Sequence, residues 1–422
     1  MGRWSQLRYL LVSCMLGLLF LVAFHGEVNY LWKRLPHHST DQHQLTVETT
    51  RRILKLISAG KCVPIRQVLF LKTHKTGSST VANIFFRYGD SNDLSFVLGI
   101  DSMIGWPHRF RLIHALPRNG IQPNFLCSHT RYNEETMHHL FPKDTSMYIT
   151  ILRDPVDQFE SVFNYVEFGE VFGFGKDPTK SIKSFLRNGI EFKNITASRS
   201  SVLARNPMML DFGLDYQFYQ NLTAVKEYIA FLEKEFDLVM IMEYFEESMV
   251  LMKRLLCWEF EDFFHIKSNA RVDKERAEMS DNLKENIKRW NKADMLLYKH
   301  FNRTFWRQIN LEGEGFYGDL KTFHRMNEEM NERCFNGTLT LQLVYPGKYV
   351  KSPVLNPNLP AEIKDKCEKM TRKENAYLEH LRNKQFSKSA GYIKTLLDKE
   401  KEPDNTISWD VAKDLAYDPL PL

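Results

Sequence analysis

Apolar and polar positions along this chain fall into two registers, and the changes between them mark its elements. The short β-rich run "QVLFL" ends at Leu71. After a polar stretch, Val81, Ile84, Phe85 and Tyr88 recur at i, i+3, i+4 and i+7, which predicts an amphipathic helix over "STVANIFFRY". "NFLCSH" and "SMYITIL" are further strand candidates. After the second, "RDP" offers Asp154 as a helix N-cap and Pro155 as the first helical residue. Phe159, Val162, Phe163 and Val166 then repeat the helical stripe, and a third unit runs from "FDLVMIMEYF" into "ESMVLMKRLLCW". Strand, loop and helix in repeated succession predict an α/β domain with a central, mainly parallel sheet flanked by helices.

The pattern changes at both ends. "YLLVSCMLGLLFLVAF", from Tyr9 to Phe24, carries no charge and follows Arg3 and Arg8. It is a little shorter than the roughly 20 residues of a typical membrane span. No small-x-small cleavage site follows, so an uncleaved anchor is expected rather than a removed signal. Cations before the run, with only His25 and Glu27 just after it, predict a cytosolic N-terminus and a luminal body. The expected organisation is a cytosolic tail at 1–8, an N-terminal membrane anchor at 9–25, a polar stem at 26–61 and the α/β domain at 62–312. Residues 313–422 read as an extension of helices and loops packed on that domain, with a mobile end. Within it lie Gly/Glu-rich "NLEGEGFYG", a Pro-punctuated stretch from Pro346 to Pro360 and a charged helix near Ala361 to Gln385.

Composition sharpens this only in places. A 422-residue chain with 43% hydrophobic residues packs a core, which excludes a disordered chain. The 57 cationic side chains nearly balance 52 anionic ones, for a net charge of +5, so an anionic ligand fits and a nucleic-acid partner does not. Sequons at Asn194, Asn221, Asn302 and Asn336 suit a luminal body as glycosylation acceptors. Of six cysteines, Cys14 lies in the apolar run. The other five, Cys62, Cys127, Cys257, Cys334 and Cys367, allow two disulfides and one leftover thiol in an oxidising compartment. Cys127, inside "NFLCSH", reads equally well as a reduced core residue.

Chemistry concentrates in "VLFLKTHKTGSST", Val68 to Thr80. A strand that feeds a glycine-containing loop into a helix presents backbone N–H groups and a positive dipole end to an oxyanion. Lys75 adds a point charge, and Thr76, Ser78, Ser79 and Thr80 add hydroxyls. The nucleotide P-loop G-x-x-x-x-G-K-[ST] does not match, because Gly77 follows the lysine and no glycine precedes it. The loop resembles the 5′-phosphosulfate-binding loop of sulfotransferases. These enzymes bind the 3′-phosphate of their donor through an arginine at a later strand end and a serine eight residues on. Arg153 and Ser161 stand in that relation here.

At closer range, "FLKTHKTGSSTVANIFFRYG", "ILRDPVDQFESVFNY" and "MEYFEESMVLMKRLLCWEFEDFFHIKSNAR" resemble the galactose 3-O-sulfotransferases, and "LLCWEFED" is most similar to the member acting on galactosylceramide. The likeness spans about Cys62 to Trp306, and Gly77 replaces the family's usual loop alanine. The resemblance implies a P-loop-like sulfotransferase fold and a Golgi membrane enzyme of type II topology. It implies 3′-phosphoadenosine 5′-phosphosulfate as donor, no metal requirement, and a galactose-terminated glycolipid or glycan as acceptor. Homodimerisation is left open. It places Lys72, Thr73, Lys75, Thr76, Gly77, Ser78, Ser79, Thr80, Arg153 and Ser161 at the donor, with Asn269 and Arg271 in a late segment that closes over it.

Transfer needs positioned groups, charge neutralisation and a base for the acceptor hydroxyl. Lys75 suits the bridging oxygen of the leaving phosphate. Lys72 is read as a second cation toward donor or acceptor. His129, ending a strand at the rim that carries the loop, is the preferred base, with His74 as competitor and Glu160 behind them. Trp106, Tyr132, Phe168 and Phe172 suit either sugar stacking or core packing, and core packing is favoured in a chain with 13% aromatics. A nucleotide kinase or metal-dependent glycosyltransferase is disfavoured, since the chain has neither Walker A nor D-x-D. A catalytically silent luminal binding protein of the same fold is the remaining alternative.

Overall fold

The alternation read from the sequence is realised as strands buried on both faces with helices between them. The computed structural model describes residues 62–117, 122–188, 200–266, 277–345 and 348–387, all within the unit Ala59–Leu422. Strand β1 (Val68–Leu71) leads through the glycine loop into helix α1 (Ser78–Ser91). Strand β2 (Phe125–Leu126) precedes α2 (Glu134–Leu140), and β3 (Met147–Leu152) feeds α3 (Pro155–Tyr165). Short α4 (Phe168–Val171), α5 (Pro178–Asn188), α6 (Pro207–Asp211) and α7 (Leu222–Glu235) precede β4 (Leu238–Ile241) and α8 (Phe245–Leu256). There follow α9 (Asp281–Trp290), α10 (Lys292–Glu312), α11 (Gly315–Cys334), the strands β5 (Phe335–Tyr345) and β6 (Lys348–Leu355), α12 (Ala361–Thr371) and α13 (Glu374–Gln385).

The sheet order is β2-β1-β3-β4, with every pair parallel. Leu71 pairs with Thr150 and Leu152 with Ile241, so β1, β3 and β4 end on one rim. In a parallel sheet that carboxyl rim is where loops meet ligands. "NFLCSH" contributes only two strand residues, and Cys127, Ser128 and His129 continue beyond them as extended chain. At the start of α3, Asp154 accepts from the Val156 N–H at 2.8 Å with Pro155 at the first helical position, as the sequence predicts.

One core surrounds the sheet. Phe70, Phe85, Phe125 and Tyr148 belong to it, and so do Phe316, Phe323, Tyr377 and Leu378 from the C-terminal helices. Each such side chain contributes about 1.5–3 kcal/mol when fully buried. A second cluster forms where α3, α5 and α9 meet, around Phe159, Phe163, Phe185 and Ile287.

The C-terminal part is more ordered than its polar composition suggests. Gly313, at φ 73°, ends α10, and α11 follows at once through "GEGFYG". Strands β5 and β6 pair antiparallel, a ladder that the sequence reading did not anticipate. The single charged helix expected near 361–385 is two helices, α12 and α13, separated around Arg372 and Lys373.

Disulfides Cys62–Cys257 and Cys334–Cys367 leave Cys127 as a buried free thiol, so the expected arithmetic of two bridges and one thiol holds. Burial, then Glu374, pushes the Cys127 thiol well above the usual range, as befits an inert core residue. The expected anchor and stem, the mobile end, Asn194, Asn269 and Arg271 lie outside the described residues. Among the described residues no helix is long and apolar enough to cross a membrane. Asn221 and Asn336 are exposed and Asn302 is half-buried on α10.

Candidate active site

The loop after β1 is built by its own hydroxyls. Thr73 Oγ1 donates to the Ile151 carbonyl at 2.5 Å and lies 2.7 Å from Thr76 Oγ1. Ser78 Oγ donates to the Thr73 carbonyl at 2.6 Å. These three side chains, expected to face the donor, hold the loop's shape and anchor it to β3. What the loop presents outward is backbone. Lys75 and Gly77 adopt positive φ (60° and 78°), and Gly77 caps α1. A bend of this kind before a helix aims the leading N–H groups, which lack intrahelical acceptors, at one point. Ser79 and Thr80 occupy the first turn, where Ser79 Oγ donates to Glu374 Oε2 at 3.1 Å.

The second predicted anion contact stands beside the first. Arg153, at the end of β3, donates through Nη1 to the Lys75 carbonyl at 3.3 Å. Lys75 Nζ lies 4.0 Å over the Tyr165 ring, one helical turn beyond Ser161 on α3. Loop, Arg153 and the α3 face bearing Asp157, Ser161 and Tyr165 therefore border one region of the rim. Ser161 is buried, and Asp157 and Tyr165 are exposed.

Two histidines stack at the same rim, with ring centroids 4.0 Å apart and planes 19° apart. Their surroundings differ. His129 uses both nitrogens: Nδ1 lies 3.0 Å from the Lys72 carbonyl and Nε2 lies 2.7 Å from Lys72 Nζ. An ammonium only donates, so Nε2 accepts and Nδ1 carries the proton. Burial, then His74 and Lys72, hold the His129 imidazole well below the usual histidine range. His74 lies 2.9 Å through Nδ1 from Asp211 Oδ1, while its backbone N–H donates to Oδ2 at 2.8 Å. Its Nε2 is buried and has no protein partner.

Asp211 is fully buried, yet its charge is met by those two donors and by Trp106 Nε1 at 3.1 Å. It sits at the end of α6, which α10 fixes in turn through Asp294, acceptor of the Met208 and Met209 N–H groups at 3.1 and 2.8 Å. Gln158 on α3 donates to the His74 carbonyl at 2.9 Å and keeps a buried Oε1 without a partner. A carboxylate orienting one imidazole nitrogen while the other is left without a protein partner is an arrangement that suits a general base.

Several sequence readings take new places here. Lys72 is 1% exposed and held between His129 Nε2 and Glu374 Oε2, the latter at 3.1 Å, so it lies behind the histidines rather than at the pocket surface. Glu160 accepts from Asn164 Nδ2 and from the Ala277 N–H, each at 3.0 Å, and serves the packing of α3. Tyr132 is buried and donates to Glu235, and Phe168 is buried in the second cluster, so both are core residues. Trp106 walls the site, its ring 4.7 Å from His74. Asp211, Gln158 and Glu374 escaped the sequence reading. Gln158 stood within a run singled out for chemistry, "RDPVDQFESVFNY", and Glu374 within the charged helix expected near Ala361 to Gln385.

The profile of the family described as galactose-3-O-sulfotransferase matches residues 3–381. The chain belongs to that family. Over 285 residues it is 36% identical to the human galactosylceramide sulfotransferase, covering 66% of this chain and 66% of the relative. It is 37% identical over 257 residues to the mouse galactose-3-O-sulfotransferase 2, covering 59% and 64%. With the mouse galactose-3-O-sulfotransferase 3 it shares 32% over 320 residues, covering 71% and 72%. The match thus spans about two thirds of these relatives' own length. The family profile reaches well beyond Trp306, the limit of the likeness carried by the quoted motifs, and takes in α12 and most of α13.

Proposed function

We propose that this galactose-3-O-sulfotransferase family member transfers a sulfuryl group from 3′-phosphoadenosine 5′-phosphosulfate to the 3-hydroxyl of a terminal β-galactose, with galactosylceramide as the foremost acceptor. The observation that carries the reading is the contact between Arg153 and the Lys75 carbonyl, which sets the two anion-binding elements side by side at one rim. The donor supplies the activated sulfuryl group. The loop N–H groups and Lys75 meet its 5′-phosphosulfate end, and Arg153 with Ser161 meets its 3′-phosphate. Names of relatives support the galactose acceptor, since one is a galactosylceramide sulfotransferase and others are galactose-3-O-sulfotransferases.

His74 is the base in this reading and His129 its support. The acceptor oxygen forms a bond to sulfur as the bond from sulfur to the bridging phosphate oxygen breaks, and the leaving bisphosphate keeps that electron pair. The hydroxyl proton passes to His74 Nε2, and Asp211 stabilises the imidazolium through Nδ1. Lys75 offsets charge on the leaving phosphate. The charge-free run at Tyr9 to Phe24 fits a type II anchor with this site in the Golgi lumen.

Purified protein incubated with ³⁵S-labelled donor should label galactosylceramide, and a parallel galactose-terminated N- or O-glycan ranks the acceptors. Stronger labelling of the glycan would move the acceptor from lipid to glycoprotein. Absence of label on any galactoside, with 3′-phosphoadenosine 5′-phosphate still binding by calorimetry, would leave a silent binding protein instead.

A further inference from the structure

The C-terminal helices reach the loop after β1. Asn83 of α1 donates through Nδ2 to the Lys369 carbonyl at 3.0 Å, and Asp90 of α1 meets Lys384 Nζ and His380 Nε2, each at 3.1 Å. Gln385 exchanges two hydrogen bonds with the Phe96 backbone, at 2.9 and 3.0 Å. Pinned at these points, α13 begins at the loop, and its first residue is Glu374. Glu374 Oε2 lies 3.1 Å from Lys72 Nζ and accepts from Ser79 Oγ at 3.1 Å. Its other oxygen, Oε1, is buried without a partner. A carboxylate oxygen buried in this way is unfavourable, so the contacts of Oε2 must outweigh that cost.

Lys72 explains why. Its ammonium is 1% exposed and faces an imidazole nitrogen that carries no charge. A buried ammonium without a carboxylate is unstable as an ion. Among the described residues Glu374 is the carboxylate that forms an ion pair with it. With that pair formed, Lys72 donates to His129 Nε2, which leaves Nδ1 protonated toward the Lys72 carbonyl and keeps the ring neutral. His74 stacks on this ring. A charged or rotated His129 would oppose formation of the His74 imidazolium 4.0 Å away.

We propose that Glu374 is a positioning residue for sulfuryl transfer: through Lys72 it fixes His129 as the neutral platform beneath His74. Glu374 does not touch the reacting atoms. It completes the site from the C-terminal end of the chain. The proposal rests on the reading of His74 as base, and its test separates the two.

The variants are Glu374→Gln, which keeps shape and removes charge, and Glu374→Asp, which keeps charge. Glu374→Gln should lower kcat about tenfold or more while donor and acceptor KM change less than about threefold, as expected for loss of one coupled interaction. Glu374→Asp should recover most of kcat. In protein labelled with ¹⁵N-histidine, His129 should show a protonated Nδ1 and an unprotonated Nε2, and Glu374→Gln should move both shifts toward a tautomer mixture. Lys72→Met should reproduce the kcat loss, and the double variant should be no worse than either single one. Unchanged kcat and unchanged His129 shifts in Glu374→Gln would overturn the proposal. A fall in kcat with unaltered His129 shifts would also overturn it, since the effect would then not run through the platform. If the wild-type protein transfers no sulfate, the functional reading fails, while the ¹⁵N shifts still decide the role of Glu374.

Discussion

The turn after β1 and the chain beyond β2 each bring a histidine to the same rim, and the two are opposites. The first is oriented by a carboxylate and keeps a free nitrogen; the second is clamped at both nitrogens by one lysine residue. Strand-end position, which favours His129 on sequence, does not distinguish a base from its support. What separates them is the partner of each ring: Asp211 lies 137 residues beyond His74, whereas His129 is held by Lys72, which is itself paired with Glu374 near the end of the described chain.

Substitution of the two rings is the strongest way to break that contrast. His74→Ala should lower kcat by about a thousandfold, within the range for loss of a general base. His129→Gln, which keeps an acceptor for Lys72, should cost only about tenfold. Equal losses, or a larger one at His129, would reverse the assignment. Next in size is Asp211→Asn, expected to lower kcat about a hundredfold at unchanged donor affinity, because the amide can hold the wrong His74 tautomer. Donor affinity is read by calorimetry with 3′-phosphoadenosine 5′-phosphate.

Much of the first region was legible. β1, α1, β3 and α3 appear close to where the apolar spacing puts them, and the Asp154-Pro155 start of α3 is realised in detail. Arg153 reaches the Lys75 carbonyl because β1 and β3 pair and end on one rim, a juxtaposition of two strand-loop-helix units, while Ser161 follows Arg153 on α3. The hydroxyls of Thr76 and Ser78, read as donors toward the ligand, hydrogen-bond within the loop, since composition shows a donor group and not the direction it points. Asp211 and Glu374 were illegible for a different reason: single carboxylates on helices far away in sequence carry no periodicity. The pairing of β5 with β6 was missed because Gly337 and the prolines obscure its alternation.

The support of His74 extends one layer further, and pH should expose it. Burial raises the Asp294 carboxyl from 3.8 to about 7, despite the Met209 and Met208 N–H groups that favour its ionised form. Between these values the folded protein holds a proton that the unfolded chain has released. This group's contribution is therefore full at about pH 4, declines as pH rises toward 7, and is level above that. Asp294→Asn should flatten the fall in thermal midpoint between about pH 4 and 7 by an amount corresponding to roughly a few kcal/mol. An identical slope in both proteins would place the proton elsewhere.

The smallest effect concerns the loop itself. A Cβ at Gly77 would lie 2.3 Å from Met242 Sδ, at φ 78°. Gly77→Ala should cost about 1–2 kcal/mol from the left-handed backbone, read as a thermal midpoint lower by roughly 2–6 °C. Adding Met242→Ala should return only the steric part. A midpoint unaffected by either change would show that the loop accommodates alanine freely.

The bridge between Cys62 and Cys257 joins the chain just ahead of β1 to the residue that ends α8. Its ring encloses all four parallel strands and both histidines. Load entering at Cys62 therefore has a second covalent path, across the sulfurs to the residue that ends α8, beside the one through β1. The rim that carries both histidines is thereby braced at the point where the chain enters the sheet.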